Sequence, residues 1–365
     1  MKTTELKNLN VTVSKLGLGC MRFPKKDGKI DQEQVNQMVK YAHENGVNYF
    51  DTAYVYDGGG SEIALGIALK QLKREEFFVT DKMPFWVAKT KDDLDKIFNK
   101  SLERLQVEYI DFYLMHSLYR DTYEKMMELD AFKWAINKKK EGKLKYLGFS
   151  IHDGYDVLVD VLKEHAWDFA QIQFNYLDLD DYPGEKGYDE LVKRNIPIVI
   201  MEPLKGGLLA DLPDNIAKPY RDLGGSNPSY SFRWLAEKQG IATILSGMSN
   251  MKQLQENVEL FKDIQPLSDK EHTAILEVEK NIKELQKVKC TGCRYCMPCP
   301  HGVEIPDIFI AWNTKSMHKG SNWISGTDID YESAQKCVKC GLCATHCPQH
   351  IEIPQMLEKV LSERK

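Results

Sequence analysis

Eight of the nine cysteines in this chain fall between residues 290 and 347. They form two sets that repeat imperfectly, Cys290-Thr-Gly-Cys293-Arg-Tyr-Cys296-Met-Pro-Cys299-Pro300 and Cys337-Val-Lys-Cys340-Gly-Leu-Cys343-Ala-Thr-His-Cys347-Pro348. Three thiolates at this spacing lie on one tight loop and can hold three irons of a cubane; a more distant cysteine followed by proline supplies the fourth corner. The second set fits the run in which that fourth cysteine serves the other cluster. The expected assignment is therefore crossed. Cys290, Cys293, Cys296 and Cys347 hold one [4Fe–4S] cluster, and Cys337, Cys340, Cys343 and Cys299 hold a second. The first set has two residues rather than three before Cys299, which leaves the pairing between the sets open. Zinc usually takes cysteines as separated pairs, so triplets with a trailing Cys-Pro point to iron–sulfur. Two roles stay open for the clusters: carrying electrons, or stapling a module with little core of its own.

A second stretch carries acid–base groups. Val47-Asn48-Tyr49-Phe50-Asp51-Thr52-Ala53-Tyr54-Val55-Tyr56 begins as an apolar, β-prone run entered from Asn45-Gly46 and ends in a carboxylate and two tyrosines. It then opens into Asp57-Gly58-Gly59-Gly60. A strand whose C-terminal end bears such groups and runs into a glycine loop has the form of a barrel active site; the plainer alternative is a strand with a capping Asp and a packed Tyr. The remaining cysteine, Cys20, reads as a buried inert thiol.

Composition narrows the class. With 42% apolar and 28% charged residues over 365 positions, the chain is an ordinary globular protein. Its net charge of −5 offers no general attraction for nucleic acid or anionic membranes. Residues 1–17 lack the apolar core of a signal peptide, and no run is long enough to span a bilayer. The expectation is a cytoplasmic protein, where clustered cysteines ligate metal rather than form disulfides.

The elements that must position these groups alternate from Leu16 to Lys262. Strands are expected at Leu16–Phe23, Val47–Ala53, Phe77–Met83, Tyr109–His116, Leu144–His152, Asp168–Tyr176, Ile196–Met201 and Ile241–Gly247. Helices are expected between and after them at Gln32–Asn45, Ser61–Leu72, Asp92–Leu105, Tyr123–Lys140, Tyr155–Glu164, Tyr188–Arg194, Ser229–Gln239 and Met251–Lys262. Such alternation implies parallel strands with right-handed crossovers, and eight units imply a closed (β/α)8 TIM barrel. An open doubly wound sheet is disfavoured, because no strand is followed by a G-x-G-x-x-G turn. The expected organisation is a barrel over 1–265, a linking helix over 266–289, and a small, mainly α-helical ferredoxin-like domain with two clusters over 290–365. Asp307–Lys336 is expected to hold helices, with Ile308, Phe309 and Trp312 inward, and Pro354–Lys365 a closing helix.

The motifs Phe50-Asp51-Thr52-Ala53-x-x-Tyr56, Ser61-Glu62-x-x-Leu65-Gly66, Lys82, Asp111-Phe-Tyr-Leu-Met-His116, Gly148-Phe-Ser150, Gln171-Ile-Gln-Phe-Asn175 and Gly247…Glu256-Asn257 together resemble the aldo-keto reductase family, over about Leu16 to Lys262. With the cysteine module the chain resembles the subgroup that carries a C-terminal ferredoxin-like domain. The resemblance implies a catalytic tetrad of Asp51, Tyr56, Lys82 and His116. Hydride reduction of a carbonyl needs a proton donor to the developing alkoxide. A phenol is a poor acid near neutrality, and a neighbouring ammonium such as Lys82 favours the phenolate. Asp51 would hold Lys82, and His116 would orient and polarise the carbonyl oxygen.

The same resemblance implies that Ser150 and Gln171 bind the nicotinamide carboxamide, that Gly206, Gly207 and Leu208 approach the pyrophosphate, and that Ser249, Glu256 and Asn257 flank the adenosine end. Ile151 stands where an asparagine usually follows Ser150, and Met201 where a tyrosine usually stacks on nicotinamide. Gly247 and Gln253 occupy positions where members preferring NADP place a lysine and an arginine, so NAD(H) and NADP(H) both stay open. Phe85, Trp86, Tyr119 and His152 lie in strand-end loops and either line a substrate pocket or pack as core.

Nicotinamide delivers two electrons as hydride, whereas a [4Fe–4S] cluster passes one at a time. Three functions follow as expectations. The first is a nicotinamide-dependent reductase interconverting a small carbonyl compound and its alcohol, with attached clusters. The second is an oxidoreductase linked to a ferredoxin-type electron-transfer partner, with or without a flavin. The third is a redox-sensing binding module.

Overall fold

The computed structural model describes residues 1–317 and 329–363. Part of the helical stretch expected over Asp307–Lys336 and the last two residues of the expected closing helix lie outside the described residues. The chain divides into two compact units. One comprises residues 1–203 and 232–266, and the other residues 204–231 together with the chain from Leu267 onward. No described helix is long and apolar enough to cross a membrane.

The first unit is a closed barrel of eight parallel strands: β1 Leu16–Gly19, β2 Tyr49–Asp51, β3 Phe78–Pro84, β4 Ile110–Leu118, β5 Leu144–Ile151, β6 Phe169–Gln173, β7 Ile198–Met201 and β8 Ile241–Ser246. Each pairs with its neighbours in sequence, and β8 pairs back onto β1. Strands such as β4 are buried at every residue, as expected where a parallel sheet is covered on its outer face by helices. Those helices are α1 Gln32–Glu44, α2 Gly60–Leu69, α3 Lys91–Leu105, α4 Arg120–Glu128, α5 Ala131–Lys140, α6 Tyr155–Glu164 and α7 Gly184–Lys193. The single helix expected at Tyr123–Lys140 is α4 and α5, broken at Asp130, whose φ of 54° is left-handed. Helix starts follow ordinary capping chemistry: Asp31 accepts from the Gln34 N–H at α1, and Thr90 and Asp93 form a capping box at α3.

An antiparallel hairpin that the sequence reading does not anticipate, Thr3–Leu6 with Val11–Ser14, precedes the barrel. Its Leu6 and Val13 share a buried cluster with Tyr49, Phe112, Leu114, Phe169, Val199, Ala242 and Leu245. Most of these sit in the first half of their strands, so the cluster fills the N-terminal end of the cylinder. Phe112 lies 5.2 Å from Tyr49 and 5.1 Å from Phe169 between ring centroids. The opposite end is left to the functional groups.

The second unit contains α8 Asp214–Leu223 and, after α9 Asn227–Ala236 and α10 Met251–Lys262, the helices α11 Asp269–Leu285, α12 Ile305–Met317, α13 Tyr331–Gln335, α14 Leu342–Thr345 and α15 Ile353–Ser362. Helix α9 spans the division and α10 belongs to the barrel unit. The internal repeat is visible in the structure: Ile305 and Ile353 each begin a helix and are each 1% exposed. With Val303, Ile308, Phe309, Trp312, Ile351, Leu357 and Val360 they form a small core on which six of the eight cysteines pack. Asn313 fastens the entry to the first cysteine loop: its Oδ1 accepts the Lys287 and Val288 N–H groups and its Nδ2 donates to the Val288 carbonyl, all within 3.0 Å. Ser333 Oγ joins the repeats, accepting from the Glu304 N–H and donating to the Gly302 carbonyl.

Candidate active site

Strand periodicity places the acid–base groups on one inward face. Asp51 ends β2 and pairs with Thr80 of β3, and Lys82 lies two residues along β3, so both side chains point the same way. Lys82 pairs with Leu114 of β4 and Pro84 with His116, which puts His116 on that face one layer higher. Lys82 Nζ donates to Asp51 Oδ1 at 2.7 Å and to the Thr52 carbonyl at 2.5 Å, with both partners of the ion pair nearly sealed from solvent. Tyr56 sits in a one-turn 3-10 helix whose next residues, Asp57, Gly58 and Gly59, all adopt positive φ. That turn brings its ring to 4.8 Å from Lys82 Nζ and 6.1 Å from the His116 ring. Asp51, Tyr56, Lys82 and His116 therefore converge.

Burial decides the protonation states. It pushes the Asp51 carboxyl up, against the opposing pull of Lys82. It holds His116 well below the ordinary imidazole range, reinforced by the charge of Lys82 and by His152. A neutral His116 keeps one ring N–H to donate. Trp86 packs 5.0 Å from the His116 ring and is about a third exposed, at 37%; Phe85 is buried at 2% and His152 at 8%. Tyr119 caps α4 through its own N–H, which donates to Thr122 Oγ1 at 2.9 Å. Cys20 is buried and its thiol is pushed well up by that burial, as for an inert core cysteine.

A second buried network lies on the other face of β3. Asp81 Oδ1 accepts the Lys82 N–H at 2.8 Å, while its carboxyl is pushed well up by burial and by Glu62. Asp81 Oδ2 and Glu62 Oε1 are both buried without a hydrogen-bond partner. Glu62 Oε2 accepts from Arg104 Nη1 at 2.6 Å, and the same nitrogen donates to the Tyr54 carbonyl at 3.2 Å. Arg104 thus anchors the loop that carries Tyr56. Sequence reasoning picked out Glu62 within a motif but missed Asp81 and Arg104. The available signal was an ionisable residue next to Lys82 on the outward face of a strand.

The cofactor candidates divide by position. Ser150 and Gln171 are register partners on β5 and β6. Ser150 Oγ accepts the Ser117 N–H at 2.7 Å, and Gln171 Nε2 contacts Met201 Sδ at 3.6 Å. Gln171 Oε1 is buried without a hydrogen-bond partner, an acceptor suited to a primary amide, so these residues fit a nicotinamide carboxamide. Asn257 Nδ2 donates to Ser246 Oγ at the end of β8, the Ser249 N–H donates to Gln253 Oε1, and Glu256 is exposed beside Lys252. Gly206, Gly207 and Leu208 belong to the second unit. There the Gly207 and Leu208 N–H groups donate to the carbonyls of Leu204 and Lys205, closing a tight turn.

In the cysteine module, Cys290, Cys293, Cys296 and Cys347 line one cavity, with Ile305 and Phe309 among its apolar walls. Burial and the neighbouring thiolates of Cys293, Cys290 and Cys347 push the Cys296 thiol up to about 12. Burial and Cys337, Cys299 and Cys340 push Cys343 up to about 11. Crowded thiolates of this kind need a positive core between them. Among the described residues no three His, Cys, Asp or Glu side chains converge on a single ion; Cys290, Cys293, Cys296 and Cys347 border a shared cavity instead.

Comparison with known proteins agrees with this architecture. The sequence profile of the aldo/keto reductase family matches residues 15–280, and that of the 4Fe-4S dicluster domain matches residues 289–352. An uncharacterized oxidoreductase, YqkF, of Bacillus subtilis is 25% identical over 293 residues, spanning 71% of this chain and 90% of the relative. The NADH-specific methylglyoxal reductase of Escherichia coli is 26% identical over 318 residues, spanning 71% and 93%. The holo form of the aldo-keto reductase AKR11C1 from Bacillus halodurans superposes with a TM-score of 0.62 at 24% identity, covering 76% of this chain and 96% of its own.

Proposed function

Because the chain belongs to the aldo/keto reductase family and is an oxidoreductase with a C-terminal 4Fe-4S dicluster domain, we propose that it interconverts a small carbonyl compound and its alcohol with a nicotinamide nucleotide, using Tyr56, Lys82, Asp51 and His116. One observation carries the reading: a buried ammonium, fixed by Asp51, faces the Tyr56 ring at 4.8 Å beside a neutral His116. When bound, the nucleotide supplies a hydride to the carbonyl carbon. The chain's own groups handle the oxygen. His116 donates a ring N–H to the carbonyl oxygen and orients it. Tyr56 hands its phenolic proton to that oxygen as negative charge develops, and Lys82 stabilises the phenolate left behind. Asp51 and the Thr52 carbonyl keep the ammonium in place throughout.

Ser150 and Gln171 are the proposed carboxamide partners, the turn Gly206–Leu208 the pyrophosphate neighbour, and Ser249, Glu256 and Asn257 the adenosine neighbours. The NADH specificity of the E. coli relative, with Gly247 and Gln253 in place of charged phosphate clamps, supports NAD(H). The Cys296 and Cys343 surroundings support crossed ligation of two [4Fe–4S] clusters. No observation favours the flavin-containing alternative. A ferredoxin-type partner and a cytoplasmic location remain part of the proposal.

The test is anaerobic oxidation of NADH and NADPH by the cluster-loaded chain with a panel of small aldehydes, ketones and 2-oxoaldehydes. Turnover with one of them, abolished by Tyr56→Phe, is expected; no nucleotide oxidation with any carbonyl, and none in reverse with alcohols, sinks the reading.

A further inference from the structure

Within the second unit, the backbone at Gly206 stands directly against Thr291, the residue between the cluster ligand Cys290 and Gly292. Gly206 has a φ of +67°, and a Cβ added there would lie 2.7 Å from the Thr291 carbonyl carbon and 2.9 Å from its Cα, with the carbonyl oxygen nearer still. The obstacle is backbone and cannot swing aside. Glycine is required here twice over, for the positive φ and for the close approach. Thr291 is 4% exposed, and the adjoining Gly292 N–H donates to Cys290 Sγ at 3.4 Å. The turn that meets it is itself closed by the Gly207, Leu208 and Leu209 N–H groups, which donate to the carbonyls of Leu204, Lys205 and Leu204 at 3.0 to 3.1 Å. Further along, α8 packs on α11, and Asn215 Nδ2 donates to the Met317 carbonyl at 3.2 Å. The segment 204–223 is thus held by the cysteine module at Gly206 and Asn215 and by α11 along α8.

We infer that the Cys290–Cys296 loop positions the Gly206–Leu208 turn, with Thr291 and Gly206 as positioning residues, so that cluster assembly and nucleotide affinity are linked. The inference rests on the reading above that this turn meets the pyrophosphate of a nicotinamide nucleotide. Asn313 holds the entry to this loop and Arg294 ties it to Asp307 and Glu304; ligation adds the tie that fixes Cys290, Cys293 and Cys296, and with them Thr291, to one centre. Removing the cluster releases the Thr291 carbonyl and, with it, the face on which the turn is built. Linkage is reciprocal: bound nucleotide must protect the cluster against removal by the factor through which the cluster raises nucleotide affinity.

The experiment uses the full chain, anaerobically, with clusters in place and after stripping by an iron chelator. Hydrogen exchange should show peptides covering 204–209 and 288–296 losing protection together while the β4 peptide 110–118 is unchanged. Affinity for NADH or NADPH should fall by about tenfold, within the usual range of coupling between sites. Gly206→Ala should lose the signal of one cluster, keep the other, and raise KM for the nucleotide more than it lowers kcat. Unchanged exchange at 204–209 on stripping overturns the inference. Equal nucleotide affinity in both forms also overturns it, while leaving the nicotinamide reading intact. Coupled exchange with no nucleotide bound by either form removes the nicotinamide reading and leaves the tie between turn and cluster loop standing.

Discussion

Lys82 Nζ and Asp51 Oδ1 lie 2.7 Å apart with both side chains almost wholly excluded from solvent. Removing one partner leaves the other as an uncompensated buried charge. Lys82→Met should therefore destabilise the barrel by about 3–5 kcal/mol and lower kcat by more than the stability loss accounts for. Denaturant unfolding together with turnover of the still-folded fraction separates the two effects; a variant as stable and as active as the parent contradicts the buried-pair account.

Tyr56 contributes only its hydroxyl to the proposed chemistry, because its ring position follows from the turn at Tyr56–Gly59. Tyr56→Phe should lower kcat by roughly 10²–10⁴-fold and leave the nucleotide dissociation constant and the melting temperature near parental values. A loss expressed mainly as weaker nucleotide binding would assign the hydroxyl a different role.

His116 is held well below its ordinary pKa by burial, Lys82 and His152. The unfolded chain takes up that proton first as pH falls, near 6.5, and the folded chain only at lower pH. The contribution of this histidine to stability is therefore complete above that value and is lost progressively on acidification. Asp51 has the opposite sign. Its raised pKa makes the buried carboxylate a cost at neutral pH that acidification relieves. Unfolding midpoints between pH 8 and 5 should decline less steeply in His116→Gln than in the parent; parallel declines rule out His116 as a source.

Gln171 carries a buried acceptor with no partner. Gln171→Leu should weaken nicotinamide nucleotide binding by about 1–2 kcal/mol, the worth of a hydrogen bond left unmade. Without nucleotide it should be neutral or slightly stabilising, because the orphan oxygen is gone. Paired titration and thermal melts read both signs, and a parallel loss of affinity and stability points to packing instead.

Crossed ligation makes a pattern of equivalences. Cys290→Ser and Cys347→Ser should remove the same cluster, and Cys299→Ser and Cys343→Ser the other, as their surroundings suggest. Iron content and the paramagnetic spectra of the reduced variants distinguish this from ligation within each sequential set, in which Cys347→Ser would match Cys343→Ser.

How much of this was legible beforehand follows from the range of the interactions involved. The barrel strands announce themselves because parallel strands buried on both faces are near-continuous apolar runs, as in Phe112–Met115 and Ile196–Met201. Asp51, Lys82 and His116 stand out as ionisable residues at the ends of such runs. Helix α8 was not anticipated because Pro213 and the internal Pro219 read as breakers, although Ile216, Ala217 and Tyr220 bury one face. The hairpin Thr3–Leu6 with Val11–Ser14 is too short and polar to signal itself. Arg104 on the Tyr54 carbonyl and Gly206 on Thr291 are contacts between residues far apart in sequence, with no local pattern to betray them.

The return of the segment 204–231 to the company of the cysteine helices means that the order of parts along the gene is not their order in space. A cut placed just after α10 would keep all eight staves of the cylinder yet strip α8 of the helix it leans on. The segment 204–231 therefore belongs with the helices that follow α10, and a truncation there separates it from them.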